Sequence, residues 1–479
     1  MRIQKISPLV ASLIFIAGFM PASLPAIAQV SQSLPPAVAE ALSRSAIPLQ
    51  SVGAYVQEVG SPKPLMAWNA ETGFNPASTM KLVTTNAALE LLGPTFTWKT
   101  RAYTRGTLSG DVLHGDLIIK GEGDPKLVTE KFWQFLRQIR ASGIREIRGN
   151  LILDRSQFQS TAHDNGAFDD APLKPYNVGP DALLLNYNVM SMHFLPDAAR
   201  GVATLQFDPP VAWSDAQPPT LSNGACGDWQ TALKPQFNPR GVKFDGAYPS
   251  ACGEKTWYLY PYRVNPTTYF GQVFKQLWTD VGGSFNGTVT EGSVPADARQ
   301  IAEWQSPPLP EIVRDINKFS NNVMARHTLL AIAAAHGNIP ATPEFGANLV
   351  RAWLGRKGID TAKLVIENGS GLSRIEQITA EEMGRMLVAA YQSPVMPEFI
   401  SSMPIVGLDG TMRRRLVNND VAGRAHIKTG SLDGVRSIAG YVQALSGRRY
   451  VVVCIINDNR AEAGRAAQDA LLQWVHDNG

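Results

Sequence analysis

Ser78-Thr79-Met80-Lys81-Leu82-Val83-Thr84-Thr85-Asn86-Ala87-Ala88-Leu89-Glu90-Leu91-Leu92 is the stretch on which the reading of this chain turns. Pro76 stands just before it and Gly93-Pro94 just after it, residue types that favour helix starts and stops. Leu82, Ala88, Leu89 and Leu92 recur at helical spacing, which predicts a helix with one buried face. Upstream, Val52 to Glu58 and Pro64 to Trp68 read as two strands joined through Gly60-Ser61-Pro62. At the far end, His426 to Ser431, Val435 to Leu445 and Arg449 to Ile456 read as three more, parted by Asp433-Gly434 and Ser446-Gly447, both hairpin signals. A helix over about Arg460 to Val475 closes the chain. Strands and helices from both ends predict an α/β fold of the α+β kind, one five-stranded antiparallel sheet flanked by helices.

Between these ends, Ser320 to His336, Thr342 to Leu354 and Ala380 to Gln392 read as helices. From about Lys99 to Ala302 the character changes, with extended runs such as Asp116 to Lys120 and Gly149 to Asp154, a helix near Lys131 to Ala141, and a Pro/Gly/Trp-rich part from Leu195 to Tyr260. A stretch this long with its own strands and helix is not a loop. The expected division is a sheet-bearing unit over 29–98 and 302–479, an inserted domain over 99–188 and 262–301, and a second, nested one over 189–261.

Residues 1–28 follow the plan of a secretory leader: Arg2 and Lys5, an apolar run from Leu9 to Met20, then Ala26-Ile27-Ala28 before Gln29. The run is shorter than the roughly 18–20 residues a membrane span needs, and Pro21 and Pro25 interrupt it. The expectation is export to the periplasm, with no integral membrane segment after processing and with peripheral association to membrane or wall left open. Losing Arg2 and Lys5 lowers the formal charge from +3 to +1, which offers no electrostatic case for nucleic acid. Of the three cysteines, Cys226 and Cys252 lie in polar Gly/Pro-rich sequence and could pair after export, whereas Cys454 sits in the strand candidate Tyr450 to Ile456. No Cys or His spacing suggests zinc, and no cofactor is implied.

Three short motifs carry chemistry. On a helix, Ser78 and Lys81 lie three apart on one face, so a desolvated lysine amine can take the proton of the serine hydroxyl. A helix N-terminus there adds N–H groups for a developing oxyanion. Ser320-Asn321-Asn322 precedes a predicted helix, where a lone serine would read as an N-cap. Lys428-Thr429-Gly430-Ser431 lies on a predicted strand, where Gly430 permits close approach and the lysine and hydroxyls can hold a carboxylate. Singly, each also fits a capped helix or a charged edge strand. Together, in this order and these contexts, Ser-x-x-Lys, Ser-x-Asn and Lys-Thr-Gly form the signature of penicillin-binding proteins and serine β-lactamases.

Within that group the sequence resembles the D-alanyl-D-alanine carboxypeptidases/endopeptidases of the low-molecular-mass class C penicillin-binding proteins. The likeness rests on the long insertion between Ser78 and Ser320 and on the segments Asn75 to Lys81, Glu367 to Arg374 and Met403 to Thr411. Gly149 to Asp154 and Gly121 to Pro125 resemble its first inserted domain. The resemblance implies the transpeptidase-like fold and a hydrolase acting on peptidoglycan stem peptides through an acyl-serine, inhibited by β-lactams. It further implies Ser78 as nucleophile, Lys81 as base, and Ser320 and Asn322 as parts of the proton network. Lys428, Thr429 and Ser431 would bind the carboxylate end, and the Ser78 and Ser431 N–H groups would form the oxyanion hole. An acidic residue of the inserted domain would meet the amine of the wall peptide. Asp170 in Phe168-Asp169-Asp170 is the match, with Asp169 its rival.

Two other readings share the motifs: a β-lactamase, which would differ in deacylation, and a wall-binding protein without turnover. A Ser-His-Asp hydrolase is excluded by the lack of a Gly-x-Ser-x-Gly elbow. Neither the balance of carboxypeptidase and endopeptidase action nor the oligomeric state is set by the sequence.

Overall fold

The computed structural model describes residues 31–160 and 163–479, and the expected leader falls outside them. One five-stranded sheet runs in the order Ala425–Leu432, Val435–Gln443, Arg449–Asn457, Val52–Glu58, Met66–Trp68, every neighbour antiparallel. The last strand starts at Met66 rather than at Pro64, since proline has no N–H for a ladder. Central Arg449–Asn457 is apolar on both faces because it feeds two cores. Val451, Val453 and Ile455 pack with the helices Met80–Leu91 and Ala380–Tyr391, while Val452, Cys454 and Ile456 pack with Pro36–Arg44 and Arg465–Asn478. Successive side chains of a strand point to opposite faces, so a two-sided core removes the alternation. Cys454 is free, and burial pushes its thiol up to about 12, which makes it inert.

The Ser78 segment differs from its sequence reading in two ways. Its first turn, Ala77–Thr79, is a 3-10 turn that leads into an α-helix over Met80–Leu91. Met80 to Leu89 are also all buried, not one face alone. The polar residues that suggested an outer face find partners inside the protein: Thr85 Oγ1 donates to Lys81 O (2.7 Å) and Thr84 Oγ1 to Gly369 O (2.6 Å).

The insertion leaves at Lys99–Ser109 and returns along Arg299–Gln305, which pairs with it from Arg299↔Thr104 to Gln305↔Lys99. These strands belong to a seven-stranded sheet that includes Val112–Gly121 and Leu151–Asp154, so the sheet extends beyond residue 302. Met190–Asp197, Val202–Asp208 and Lys255–Leu259 form a separate three-stranded sheet. Among the described residues it has no core of its own: Met192, Phe194 and Trp257 join one cluster with Leu117, Phe132 and Phe270. Residues 189–261 therefore share the core of the first insertion. Cys226 and Cys252 are joined in a disulfide there.

The insertion is seated on the helix Asn322–Ala335. His327 Nδ1–H donates to Gly123 O (2.9 Å), and its Nε2 accepts from Asp181 N–H (3.3 Å). That pairing needs a neutral ring, and burial holds its pKa down at about 4. Arg326 Nη1 donates to Val178 O at 2.9 Å. The helix that begins at Asn322 thus faces Lys81 at one end and carries the insertion along its length. Among the described residues no helix is long and apolar enough to cross a membrane.

Candidate active site

Ser78 sits on a strained turn. Ala77 before it has φ 45°, a region that costs a non-glycine residue about 1–3 kcal/mol and persists only where surroundings enforce it. The enforcing group is Asn75, whose Oδ1 accepts the Ala77 N–H (2.9 Å). Asn75 is itself clamped: its N–H donates to Asn457 Oδ1 (2.8 Å), Asn457 Nδ2 returns a bond to Asn75 O (3.0 Å), and Asn75 Nδ2 donates to Ser373 O (2.9 Å). The last residue of the central strand and the loop before Arg374 therefore fix the serine turn.

Lys81 Nζ lies 3.0 Å from Ser78 Oγ, 2.6 Å from Asn322 Oδ1, and in contact with the Ser370 carbonyl oxygen. Burial, then the nearby Lys428 charge, hold its pKa well below the ordinary lysine value. A neutral amine has two N–H bonds and one lone pair. Asn322 Oδ1 and Ser370 O can only accept, so they take the two hydrogens and leave the lone pair for the Ser78 hydroxyl. That is the arrangement a general base requires.

Ser320 is not the N-cap of the helix that follows. Asn321 caps it, its Oδ1 accepting from Met324 N–H (3.0 Å). Ser320 ends the helix Leu309–Phe319 in a left-handed conformation, φ 60° and ψ 39°, and its Oγ accepts from Lys428 Nζ (2.9 Å). Lys428 also donates to Thr429 O (2.7 Å), and burial pushes its amine down to about 7.

The Lys428-Thr429-Gly430-Ser431 strand is the open edge of the sheet. Its beginning is covered, Ile427 N–H donating to Pro404 O (2.8 Å) and Val406 N–H to Ala425 O (3.0 Å). Beyond Ile427 no further strand pairs with it among the described residues, so its edge can receive an extended peptide. A Cβ at Gly430 would lie 2.9 Å from Ser78 N and 2.7 Å from Pro76 O, which puts this strand directly against the nucleophile turn. Thr429 Oγ1 bonds Thr411 Oγ1 (2.8 Å), and Lys318 Nζ pairs with Asp409 (2.6 Å), tying the Met403 to Thr411 loop to the strand and to the helix before Ser320.

The structure therefore brings Ser78, Lys81 and Asn322 together, and Ser320 with Lys428. Asp169 and Asp170 lie in the insertion, both exposed. Asp169 is engaged in its own loop, accepting from Tyr176 Oη (2.7 Å) and Asn177 Nδ2 (2.7 Å). Asp170 has φ 55° and its N–H donates to Gly166 O. The adjacent Phe168 ring faces the Arg374 guanidinium at 4.4 Å, which fastens this segment to the loop beside the serine. Sequence reasoning assigned no role to Asn75, Asn457, Ser370 or Glu376: Asn75 meets Asn457 and Ser370 meets Lys81 across long stretches of chain, and the bonds of Glu376 to Glu367, Asn368 and Gly369 form only once that loop closes.

The profile of the D-Ala-D-Ala carboxypeptidase 3 (S13) family matches residues 34–478. A D-alanyl-D-alanine carboxypeptidase DacB of Haemophilus influenzae is 26% identical over 430 residues, 85% of each chain. A D-alanyl-D-alanine carboxypeptidase of an Actinomadura species is 27% identical over 437 residues, 88% of this chain and 80% of that one. The crystal structure of penicillin binding protein 4 from Haemophilus influenzae superposes with a TM-score of 0.75 at 23% identity, covering 91% of this chain and 99% of the other, which shows the shared fold. With the profile spanning the sheet, the insertion and all three motifs, the chain belongs to the D-Ala-D-Ala carboxypeptidase 3 (S13) family.

Proposed function

We propose that the protein hydrolyses D-Ala-D-Ala-type peptide bonds of peptidoglycan stem peptides, as carboxypeptidase, endopeptidase or both, with Ser78 as the acylated nucleophile. The observation that carries the reading is the placement of Lys81 Nζ 3.0 Å from Ser78 Oγ, with the acceptor-only Asn322 Oδ1 and Ser370 carbonyl as its other partners. Lys81 takes the Ser78 proton as Oγ attacks the carbonyl carbon. The oxyanion is received by the Ser78 and Ser431 N–H groups, and the proton held on Lys81 passes by way of the Ser320 hydroxyl to the leaving amine, which restores the neutral lysine while Asn322 Oδ1 keeps it in place. Lys428, Thr429 and Ser431 hold the terminal carboxylate, and water then releases the acyl group. The site of action is the periplasm, a reading supported by the leader pattern in residues 1–28.

The direct test incubates the protein with purified muropeptide monomers and cross-linked dimers and weighs the products. Loss of one alanine from monomers, or conversion of dimers to monomers, is expected. Intact substrates after long incubation would refute the reading.

The two lysines give kcat/KM a pH profile of defined sign. Lys81 works unprotonated, and its lowered pKa puts the rising limb on the acid side. Lys428 works protonated and loses its charge as pH rises through about 7. Since kcat/KM reports the free enzyme, it should fall above about pH 7 for carboxylate-bearing peptides. A flat profile between neutrality and the ordinary lysine range would contradict the role given to Lys428.

We further propose Asp170, rather than Asp169, as the partner of the wall-peptide amine, since the Asp169 oxygens serve Tyr176 and Asn177. Asp170→Asn should lower kcat/KM on amine-bearing stem peptides by about fivefold, the upper end for an exposed ion pair, with penicillin acylation unchanged. Equal losses on both substrates, or none on either, would remove Asp170 from the binding site.

A further inference from the structure

Glu376 is buried, and among the described residues its carboxylate forms no hydrogen bond with Ser78 or with the open edge strand. Its Oε1 accepts three consecutive backbone N–H groups, from Glu367 (3.3 Å), Asn368 (3.0 Å) and Gly369 (2.8 Å). Its Oε2 has no hydrogen-bond partner among the described residues. The loop gathered in this way continues into Ser370, whose carbonyl oxygen takes one hydrogen of the Lys81 amine. The Asn368 side chain stiffens the same turn, its Oδ1 accepting from Ser370 N–H (2.9 Å) and Ser370 Oγ (2.6 Å).

We propose that Glu376 is a positioning residue of this active site: it gathers the turn from Glu367 to Gly369 and so holds the Ser370 carbonyl on Lys81, with the amine lone pair pointed at Ser78. The inference rests on Lys81 being the base for Ser78. It deepens that reading by naming what orients the base and tunes it.

The charged groups around Glu376 define what its removal does. Lys81 faces it from the Ser78 helix and Arg326 from the helix Asn322–Ala335; Lys428 acts on Lys81, and Glu367 on Arg326. Lys81 is thus surrounded by two other cations, against which Glu376 is the opposing anion. Burial, the largest influence, raises the Glu376 carboxyl above the ordinary glutamate value, and the loop N–H groups and Lys81 oppose that rise. Arg326 stays charged at every pH at which the protein is folded. Neutralising Glu376 therefore shows itself through the titration of Lys81.

Acylation by a fluorescent penicillin, followed across the pH range in which the protein stays folded, tests the proposal. Glu376→Gln keeps an acceptor for the loop but removes the charge. Its rising limb should move to lower pH by about one unit, with the maximal rate within a few-fold of the wild type. Glu376→Ala releases the loop and should lower the maximal rate about 100-fold, the scale of a 1 Å misplacement of a reacting group. A purely structural role would lower the melting temperature of both variants and leave the limb in place. A Glu376→Gln protein with the wild-type limb, or a Glu376→Ala protein with the wild-type rate, overturns the proposal. Should Glu376→Gln not fold, Glu376→Asp decides: it keeps the charge on a shorter arm, so slower acylation at an unmoved limb without loss of melting temperature supports the role, and a wild-type rate, or a loss of melting temperature alone, overturns it. A wild-type protein that no penicillin acylates overturns the assignment of Ser78 and Lys81, and this role with it.

Discussion

Exposed to a penicillin, the protein gains the mass of one drug molecule on the peptide that contains Ser78, and Ser78→Ala gains none. Lys81→Ala, with the serine intact, acylates about 10²–10⁴-fold more slowly, the range a positioned general base supplies. The argument rests on geometry. Lys81 Nζ is 3.0 Å from Ser78 Oγ, and no other amine is bonded to that hydroxyl among the described residues. Lys428, the other lysine of the three motifs, donates instead to Ser320 Oγ and Thr429 O. Truncation also leaves Asn322 Oδ1 and the Ser370 carbonyl buried without their donor, which costs about 1–3 kcal/mol per group. The variant should therefore melt at a lower temperature as well as react slowly, and near-UV circular dichroism separates the two effects. Intact-protein mass spectrometry with peptide mapping gives the first result. An adduct on Ser78→Ala at the wild-type rate would place the nucleophile elsewhere.

How far the sequence discloses this site depends on the distance over which each part is specified. Ser78, Lys81 and the Lys-Thr-Gly strand are legible because three short motifs, each of which singly also fits a capped helix or a charged edge strand, occur together in one order and in matching local contexts. The five-stranded sheet is legible for a similar reason: its hairpins are closed by local Asp-Gly and Ser-Gly signals, and the register follows from the turn. The role of Ser320 is harder to read. Local preference makes it a cap, but Asn321 takes that task and Ser320 adopts φ 60° to meet Lys428. Glu376 is out of reach altogether. A glutamate after Arg374-Ile375 carries no pattern, and its importance appears only once the loop from Glu367 to Ser370 closes on Lys81, far away in the chain. The same holds for Asn75 and Asn457, which meet only because the first and last parts of the chain share a sheet. The core shared by both inserted segments escapes for another reason: composition marks where the Pro/Gly/Trp-rich part begins, but not which hydrophobic surface it covers.

Gly430→Ala should lower penicillin acylation about 10²–10³-fold, comparable to the loss of one oxyanion donor. The added methyl would sit 2.2 Å from Ser437 Oγ, 2.7 Å from Pro76 O and 2.9 Å from Ser78 N. The first is a side chain, but it is held to Pro76 O (2.5 Å) and lies 3.3 Å from Thr79 Oγ1, and the other two are backbone atoms of the nucleophile turn. Relief therefore requires the strand to withdraw from Ser78. That withdrawal pulls the Ser431 N–H away from the place where it and the Ser78 N–H are proposed to meet the oxyanion. Overpacking of this kind also costs about 1–3 kcal/mol of stability, so the reaction is best followed at a temperature where both proteins are folded. Gly355→Ala serves as the comparison: it lies in the helix Pro343–Arg356 with nothing within 4 Å of the added carbon. There, alanine should stabilise by about 0.5–1 kcal/mol through helix propensity and leave acylation unchanged. The second-order acylation rate and the melting temperature of both variants decide the matter. If Gly430→Ala reacts at the wild-type rate, the strand is not a wall of the oxyanion site; if it loses stability without losing rate, the contact is one of packing alone.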